Sequence, residues 1–340
     1  MFIVLLKFVV CAAVIFFSGR RVAKYGDAIA EKTGLGGLWI GVILVSVATS
    51  LPELFTGVGS TVFINAPDLT VGNLFGANTY NLVNIGILDF LHKGQPLLSL
   101  VSSGQLLTAS LSLIPICIAA IGIFLSPRLA QPAFAQVSIY SILIFISYLI
   151  CARTIFNFEK KEQKALKEQQ EENILFKYGD ISLKTASLRY AAAALVIAGA
   201  GIWLAYIGDD LSRFLGLERN FVGSLFLGFA TTLPEITVSI AAIRLGANEL
   251  AVANMLGSNL FNVAIIFIND ALYRKASIFT AISQEHIFTI FTVILMTLII
   301  IAGLILKPKK KTKSGLSVYS IGLIAVFMIS AYINFILSNK

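Results

Sequence analysis

Charged residues are scarce in this sequence. Asp, Glu, Lys and Arg make up 13% of its 340 residues, whereas soluble domains contain roughly 25%. This deficit, together with a mean hydropathy of +0.86, excludes an ordinary soluble domain and indicates an integral membrane protein. The apolar runs do not show the alternation over about 10 residues that is typical of membrane barrels, so we predict an all-α membrane fold.

Cysteine and histidine are also scarce, which argues against a soft-metal site. Cys11, Cys117 and Cys151 lie in or beside apolar runs without metal-ligand spacing, so we expect them to be small buried hydrophobes. His92 and His286 lie near the ends of apolar runs, far apart in the sequence, and form no ligand pattern. We therefore expect no bound cofactor.

Ten apolar runs of about 20 residues match a bilayer core of roughly 30 Å, and we predict ten transmembrane helices. Their predicted bounds are 2–18, 38–63, 69–90, 104–125, 133–152, 188–207, 221–243, 250–268, 285–306 and 316–337. The basic residues Arg20, Arg21 and Lys24 follow the first run, and no cleavage site is convincing, which favours a retained helix over a signal peptide.

The net charge of +8 arises from basic residues in the connections between apolar runs. This pattern is typical of membrane topology and argues against nucleic-acid binding. Most lysines and arginines, including the KPKKK run at 307–311, fall on one side when the N-terminus is placed outside. We expect a multi-pass protein of the cell membrane whose polar central connector is cytoplasmic.

The two halves of the sequence align with each other at a fixed offset. Matching positions include Gly26 with Gly208, Asp27 with Asp209, Pro52 with Pro234 and Glu53 with Glu235, and, after a one-residue slip, Asn73 with Asn254, Gly76 with Gly257, Asn81 with Asn262 and Asp89 with Asp270. Because each half has an odd number of spans, the second half enters the membrane from the opposite side. We predict two inverted five-helix repeats, 1–152 and 188–340, joined by a linker, 153–187.

An acidic residue follows a proline within an apolar span in each half, in VATSLPE and in FATTLPE. A proline removes a backbone donor and leaves a carbonyl unpaired one turn earlier. We expect carbonyls of the loosened turns, from Ser46 and from Gly228 onward, to join nearby hydroxyl groups. The predicted hydroxyls are those of Thr49, Ser50, Thr231 and Thr232. With Glu53 and Glu235, they form the set of oxygens that hard cations such as Ca²⁺ prefer.

The next span in each half adds amides and small residues, in VGNLFGANTYN and VANMLGSNLFN. Asn81 and Asn262 can direct amide oxygens at the same ion, and Ser258 can add a hydroxyl that its counterpart Ala77 lacks. Gly76 and Gly257 permit close helix approach. We expect Asp89 and Asp270, at the ends of these spans, to be solvated at the interface.

At these residues the chain resembles the sodium/calcium exchanger superfamily of cation/Ca²⁺ antiporters. That family carries a G-T-S-x-P-E-type block and a G-N-x-x-G-S-N-x-x-N/D-type block in each of two inverted repeats. The resemblance implies ten helices, alternating access, gating by helices 1 and 6, and Na⁺ entry that drives Ca²⁺ extrusion. The ion ligands that it implies are Glu53, Glu235, Thr49, Ser50, Thr231, Thr232, Ser258, Asn81, Asn262 and the carbonyls of Ser46 and Gly228.

Several positions depart from the family pattern. Ala77 replaces a common hydroxyl, which implies a weaker or differently built Na⁺ subsite. Ala48 and Ala230 replace the usual glycine before the threonine, and Ala253 replaces a glycine before Asn254. Asn stands at position 262 where potassium-dependent relatives have Asp, so the chain looks potassium-independent. The additional acidic residue of the proton-coupled branch is absent.

We therefore expect a Na⁺/Ca²⁺ antiporter that functions as a monomer, with both ions as substrates. A Ca²⁺/H⁺ antiporter, or an exchanger of another divalent cation for H⁺, is the alternative, since a buried glutamate pair can take up a proton. An intramembrane enzyme with two carboxylates would not need the duplicated hydroxyl and amide oxygens. A passive channel would differ by conducting Ca²⁺ without a cation on the opposite side.

Overall fold

The computed structural model describes residues 2–33, 45–126, 133–134, 136–167 and 181–338, and most of these residues are helical. The helices of the first half are α1 (Phe2–Thr33), α2 (Leu51–Val58), α3 (Pro67–Leu91), α4 (Ser103–Leu125) and α5 (Ile139–Lys167). A π-helical turn, Gly59–Phe63, continues α2, and a 3₁₀ turn, Leu97–Ser99, precedes α4. Strands β1 (Ala133–Phe134) and β2 (Val137–Ser138) pair antiparallel before α5.

The second half is also helical, with a longer interruption around its acidic motif. Its helices are α6 (Leu183–Leu215), α7 (Arg219–Val222), α8 (Gly228–Thr231), α9 (Leu233–Arg244), α10 (Asn248–Leu272), α11 (Ile278–Ala281), α12 (His286–Leu306) and α13 (Val318–Leu337). A π-helical turn, Gly223–Leu227, joins α7 to α8.

Seven helices among the described residues are long and apolar enough to cross a membrane, judged by length and composition. The number rises to eight if Arg219–Thr231 and Leu233–Arg244, which are bent by 42° relative to each other, form one broken span. The prediction of a mostly helical membrane protein is confirmed. The predicted span 38–63 begins in 34–44, which lies outside the described residues. Helix α3 is 25 residues long, but its buried Asn, Thr and Asp side chains lower its hydropathy.

Three helices extend well beyond their predicted bounds, and one of them is α6, which spans Leu183–Leu215 rather than 188–207. Helix α1 continues to Thr33 rather than ending at 18, and α5 continues to Lys167 rather than ending at 152. Hydropathy locates the membrane core, whereas a helix ends only where its backbone loses partners. The extended part of α1 packs along α6, with Val22 and Ile197 in one buried cluster. Of the predicted linker, residues 168–180 lie outside the described part of the chain.

Helices α3 and α10 cross at the centre of the molecule. The largest buried apolar cluster surrounds them and includes Phe75, Leu82, Met255 and Ile266. We expected all three cysteines to be buried. Cys11 and Cys151 are buried, whereas Cys117 is exposed. The two motif segments pack against α3 and α10.

The expectation that Asp89 and Asp270 are solvated is wrong, since both are at most 1% exposed. Asp89 accepts hydrogen bonds from the backbone N–H of Ser317 at 3.0 Å, at the start of α13. Asp270 accepts from the N–H of Ser138 at 2.8 Å, just before α5, and of Ile278 at 2.6 Å. The first N–H groups of a helix lack intrahelical partners, and a buried carboxylate satisfies them. Each aspartate therefore anchors a helix from the other half.

Candidate cation site

The helix is interrupted at the same point of both motifs. Ser50 has φ −86° and ψ 9°, and Thr232 has φ −81° and ψ 0°, which is the sparsely populated bridge region rather than helix. Pro52 and Pro234 then lie in the first positions of α2 and α9, where the missing N–H of proline removes no helical hydrogen bond. The prolines therefore begin new helices inside the molecule.

These two helix starts carry Glu53 and Glu235, both fully buried. Ser50, three residues before Glu53, brings the first motif into contact with Glu235. The Ser50 hydroxyl donates to Glu235 Oε1 at 3.2 Å. Within the described part of the chain, both carboxyl oxygens of Glu53 and Oε2 of Glu235 have no hydrogen-bond partner. The site thus contains buried acceptor oxygens whose charge no described donor balances.

Two asparagines connect the motifs through matching contacts. The Asn73 amide nitrogen lies 3.5 Å from the Glu53 carbonyl oxygen, and its amide oxygen accepts from Thr231 at 3.1 Å. In the other half, Asn254 donates to the Glu235 carbonyl oxygen at 3.3 Å and accepts from Thr49 at 3.4 Å. Each asparagine therefore bridges the glutamate backbone of its own half to the threonine of the opposite half.

Sequence reasoning aligned Asn73 and Asn254 but assigned them no role in the site. Their signal was present, because both recur in the repeated block. Two further asparagines were also unassigned: Asn78 donates to the carbonyl of Asn259 at 3.4 Å, and Asn259 donates to that of Asn78 at 3.2 Å. This reciprocal pair holds α3 against α10 directly beside the site.

The predicted amide ligands Asn81 and Asn262 are both fully buried. Asn262 donates its amide N–H to the Asn78 side-chain oxygen at 3.1 Å. Its own Oδ1 and both amide atoms of Asn81 find no hydrogen-bond partner among the residues that the structure describes. These two amides thus supply buried neutral oxygens, which form no hydrogen bond with Glu53 or Glu235 within the described part of the chain.

The remaining predicted hydroxyls divide into two groups. Ser258 Oγ lies 3.5 Å from Thr49 Oγ1 and 3.5 Å from the Ser46 carbonyl oxygen, so it belongs to the same cluster. Thr232, by contrast, donates to the Gly228 carbonyl at 2.9 Å within its own turn. Although Ser50 and Thr232 match in sequence, only Ser50 contacts a motif carboxylate.

The two predicted carbonyl ligands already accept hydrogen bonds. The Ser46 carbonyl accepts from the Ser50 backbone N–H at 3.0 Å and from the Thr49 hydroxyl at 3.2 Å. The Gly228 carbonyl accepts from the Thr232 N–H at 3.2 Å and also from its hydroxyl. These carbonyls therefore orient the hydroxyls, and the carboxyl and amide oxygens are the acceptors with capacity to bind an ion.

The donor set is made of oxygen. Two carboxyl groups with neighbouring hydroxyl and amide oxygens suit a hard cation such as Ca²⁺ or Na⁺ and do not suit a soft metal. In the described ranges, no group of three or more His, Cys, Asp and Glu side chains could hold a metal ion.

Comparison with known proteins identifies relatives across the whole chain. The family described as "Sodium/calcium exchanger protein" matches residues 3–155 and 187–338. "Inner membrane protein YrbG" of Escherichia coli (strain K12) is 24% identical over 338 residues, covering 94% of this chain and 93% of that protein. "Sodium/calcium exchanger MaX1" of Methanosarcina acetivorans is 22% identical over 296 residues, covering 75% of this chain and 79% of that protein.

The solved structure of the "H+/Ca2+ Exchanger CAX" has a similar fold. The two structures align with a TM-score of 0.65 and 14% sequence identity, and the alignment covers 98% of this chain and 86% of that chain. At this identity the likeness concerns the fold alone.

Proposed function

Because this chain belongs to the sodium/calcium exchanger protein family, whose match covers both halves, we propose that it exchanges Na⁺ for Ca²⁺ across the membrane by alternating access. The observation that carries this proposal is the pair of fully buried carboxyl groups, Glu53 and Glu235. A buried charge that lacks a partner is costly. Cations that bind between the two carboxylates remove that cost.

Charge balance accounts for the coupling of the two ion fluxes. Two carboxylates in an interior of low dielectric repel each other strongly. One Ca²⁺ neutralises both, and several Na⁺ do the same by occupying neighbouring oxygens. Without cations the site holds two uncompensated charges, so the conformational change that exposes it to the other side is unfavourable. Exchange is then favoured over uncoupled leak.

The proposed ligands are the residues that the repeated motifs supply. They are Glu53, Glu235, Asn81, Asn262, Thr49, Ser50, Thr231, Thr232 and Ser258, with the carbonyls of Ser46 and Gly228. Among them, the carboxyl and amide oxygens bind the ions most directly, since the hydroxyl of Thr232 and the two carbonyls are engaged within their own turns.

We place this site between two inverted five-helix repeats, 1–152 and 188–340, with ten spans in all and a cytoplasmic linker at 153–187. Helices α1 and α6, which pack along each other, are the proposed moving gates. The N-terminus lies outside, the transporter acts as a monomer, and it holds no cofactor besides its transported ions.

Reconstitution of the purified protein in liposomes tests the proposal. An outward-directed Na⁺ gradient should drive uptake of radioactive Ca²⁺, and Glu53→Gln should abolish it, because the amide cannot balance the cation charge. Asp210→Asn, outside the motifs, removes a carboxylate of the same charge and should retain full uptake. If Glu53→Gln exchanges Ca²⁺ as well as the parent does, Glu53 is not a ligand.

Proton coupling is the second candidate function. It is supported by the fold shared with the H⁺/Ca²⁺ exchanger CAX and by Ala77, which lacks the hydroxyl that Ser258 provides in the other half. Liposomes with an imposed pH gradient and no Na⁺ separate Na⁺ coupling from H⁺ coupling. Ca²⁺ uptake that the pH gradient drives in the absence of Na⁺ would support H⁺ coupling. Efflux of Ca²⁺ with no cation on the opposite side would instead reveal a channel.

A further inference from the structure

An apolar cavity opens at the surface of the protein between α3, α13 and the second motif segment. Its volume is about 320 Å³, and most of its lining residues are apolar. Two of them, Ile87 and Phe229, are 40% and 47% exposed, so the cavity is accessible from outside the protein. Apolar cavities of only about 150 Å³ stay dry and bind apolar molecules. The space therefore suits a hydrocarbon ligand.

Three lining residues carry polar groups, and two of these groups are engaged within the protein. Tyr80 donates its hydroxyl to the Leu225 carbonyl at 3.0 Å, and Thr232 donates to a carbonyl of its own turn. The third residue, Asn84, is only 6% exposed, and its amide forms no hydrogen bond within the described part of the chain. An unpartnered amide in apolar surroundings is costly, so an occupant that brings an acceptor oxygen to Asn84 is favoured.

The apolar face of the cavity continues along α3 to the end of that helix. Positions three or four residues apart share one helix face, and such a series runs through Tyr80, Val83, Asn84, Ile87 and Phe90. Phe90 is 57% exposed, and a Cβ on Gly315 would lie 3.7 Å from its ring. At about 1.5 Å per residue, Asn84 lies about 10 Å from the end of α3. This face thus leads from the cavity to the connection between α12 and α13.

That connection is strongly basic. Its segment KPKKKTK, residues 307–313, contains five lysines, and neither 92–102 nor 307–317 contains Asp or Glu. The exposed lysines are Lys307, Lys309, Lys310 and Lys313. Lys311 instead donates to the carbonyls of Asp89 and His92, which holds the segment over the end of α3. Clusters of four or more basic residues beside a membrane helix bind anionic lipids.

We propose that the cavity and the lysine segment 307–313 together bind one anionic glycerophospholipid from the adjacent leaflet. The exposed lysines hold its phosphate, Asn84 donates to an ester carbonyl oxygen, and one acyl chain fills the cavity. A phospholipid fits this arrangement because its phosphate, esters and chains follow one another along the membrane normal. The cavity wall includes Thr232 and Leu233, so the bound chain contacts the segment that carries Glu235.

Lipid titration of the purified protein in detergent tests this site. Thermal unfolding is followed while dioleoylphosphatidylglycerol, which is anionic, or dioleoylphosphatidylcholine, which is zwitterionic and has the same chains, is added. We expect both lipids to raise the unfolding temperature of the parent. Because the lysines attract only a net negative charge, the anionic lipid should reach its half-maximal effect at a concentration about tenfold lower.

The contact with the headgroup is tested by Lys309→Gln combined with Lys310→Gln. This double variant should raise the half-effective concentration of the anionic lipid about tenfold and leave that of the zwitterionic lipid unchanged. Lys160→Gln combined with Lys161→Gln is the matched control. It removes an adjacent pair of exposed lysines from α5 and should respond to both lipids as the parent does.

The contact with the acyl chain is tested by Ile87→Trp, which places an indole ring in the cavity. Displacement of about two methylene groups should raise the half-effective concentrations of both lipids about tenfold. Ile146→Trp on α5 is the control, since Ile146 is 47% exposed and does not line this cavity. It should leave both values unchanged. If Ile87→Trp does not fold, Ile324→Phe fills the same cavity from α13.

Each outcome decides for or against the lipid site. Equal half-effective concentrations of the two lipids in the parent, or an unchanged value for the anionic lipid in the lysine variant, overturn the headgroup contact. Unchanged values in Ile87→Trp show that the chains coat the surface without entering the cavity, which also overturns the site. These titrations contain neither Na⁺ nor Ca²⁺, so their failure leaves the proposed exchange untouched, and failure of the exchange leaves the lipid site untouched.

Discussion

At the scale of single residues, buried acids in this protein serve two distinct purposes. Asp89 and Asp270 accept several hydrogen bonds from helix N-termini, so their charge is balanced by the fold. Glu53 lacks any partner for its carboxyl oxygens in the described residues, and Glu235 has a partner for only one. Hydrogen-bond partners, and not burial, distinguish an acid that anchors helices from one that is available to a cation.

Ser258 carries a hydroxyl that its counterpart Ala77 lacks, and we expect substitutions at these two positions to change Na⁺ binding in opposite directions. Ser258→Ala removes an oxygen beside Thr49, and Ala77→Ser adds one at the aligned position. Loss of one hydrogen-bonding oxygen is worth about 1 kcal/mol, so Ser258→Ala should raise the half-saturating Na⁺ about fivefold, and Ala77→Ser should lower it. The measurement is Ca²⁺ flux against Na⁺ concentration. Ala119→Ser, in the buried core of α4, is the control, and shifts of equal sign in the two variants would contradict the prediction.

Because the carboxyl groups of Glu218 and Glu285 interact, we expect the stability of the folded protein to depend on pH. The hydrogen bond with Glu285 and partial burial raise the pKa of Glu218 from 4.5 to about 7. The shared proton stabilises the folded state fully at acid pH, and this contribution is lost as the pH rises through about 7. Glu218→Gln should therefore unfold at a higher temperature than the parent at pH 8, with a smaller difference at pH 5.

Thermal unfolding of the purified protein between pH 5 and pH 8 checks this prediction. Glu285→Gln should reproduce the effect of Glu218→Gln, because either substitution removes the repulsion between the two carboxylates. Parallel pH profiles for the parent and both variants would refute it.

At the scale of helices, close backbone contact positions the site. The segment that leads into the second motif packs against α3, and a Cβ on Gly76 would lie 2.5 Å from Ser224 Cα. A Cβ on Gly228 would lie 2.9 Å from the Ala77 backbone nitrogen. Glycine at these positions lets the motif segment approach α3 closely enough for Thr231 to bond Asn73. Helix contact and site geometry thus depend on the same small residues.

Gly76→Ala should consequently be strongly destabilising. The new methyl group would overlap with the Ser224 backbone, which cannot move as a flexible side chain can. Overpacking of this kind lowers the free energy of unfolding by about 1–3 kcal/mol or more. Because α3 and the motif segment would separate, Ca²⁺ should also protect the variant less against thermal unfolding. Gly199→Ala is the matched control, since a methyl group there would meet no atom of another described segment within 4 Å. Equal unfolding midpoints for the two variants would show that α3 tolerates the displacement.

At the scale of the whole molecule, the two halves carry the same motifs but differ in their hydrogen bonding. The asparagine bridges are matched, and the two aspartate anchors are matched. Ser50 and Thr232, by contrast, form different contacts. The two halves of the candidate site are therefore alike in sequence but differ in their contacts.

The proposed orientation predicts which connections are accessible from outside. Arg274 and Ser314 are both exposed, in connections at opposite ends of α12. In a Cys117→Ser background, a membrane-impermeant thiol reagent should label Arg274→Cys in intact cells and Ser314→Cys only after permeabilisation. The opposite labelling pattern would place the N-terminus in the cytoplasm.

Much of the architecture could be predicted from the sequence. Hydropathy located the membrane helices near their observed positions, because burial in lipid depends on local composition. The repeated Pro-Glu and Asn blocks predicted which oxygens would be candidate ligands. Helix ends were harder to place, since Thr33 and Lys167 lie beyond the apolar runs and their helices continue outside the membrane core. The partners that Asp89 and Asp270 find in the opposite half, Ser317 and Ser138, were missed because they come from distant segments.

The amino-acid sequence by itself determined that this is a membrane protein with two buried acids among hydroxyl and amide groups, because composition and repetition are properties of the chain. Only the tertiary structure decided which oxygens have hydrogen-bond partners. Partners that join the two halves, such as Thr231 and Asn73, lie more than a hundred residues apart, and their contacts depend on how the two halves pack together. For that reason the matched asparagine bridges between the two motifs became visible only in three dimensions.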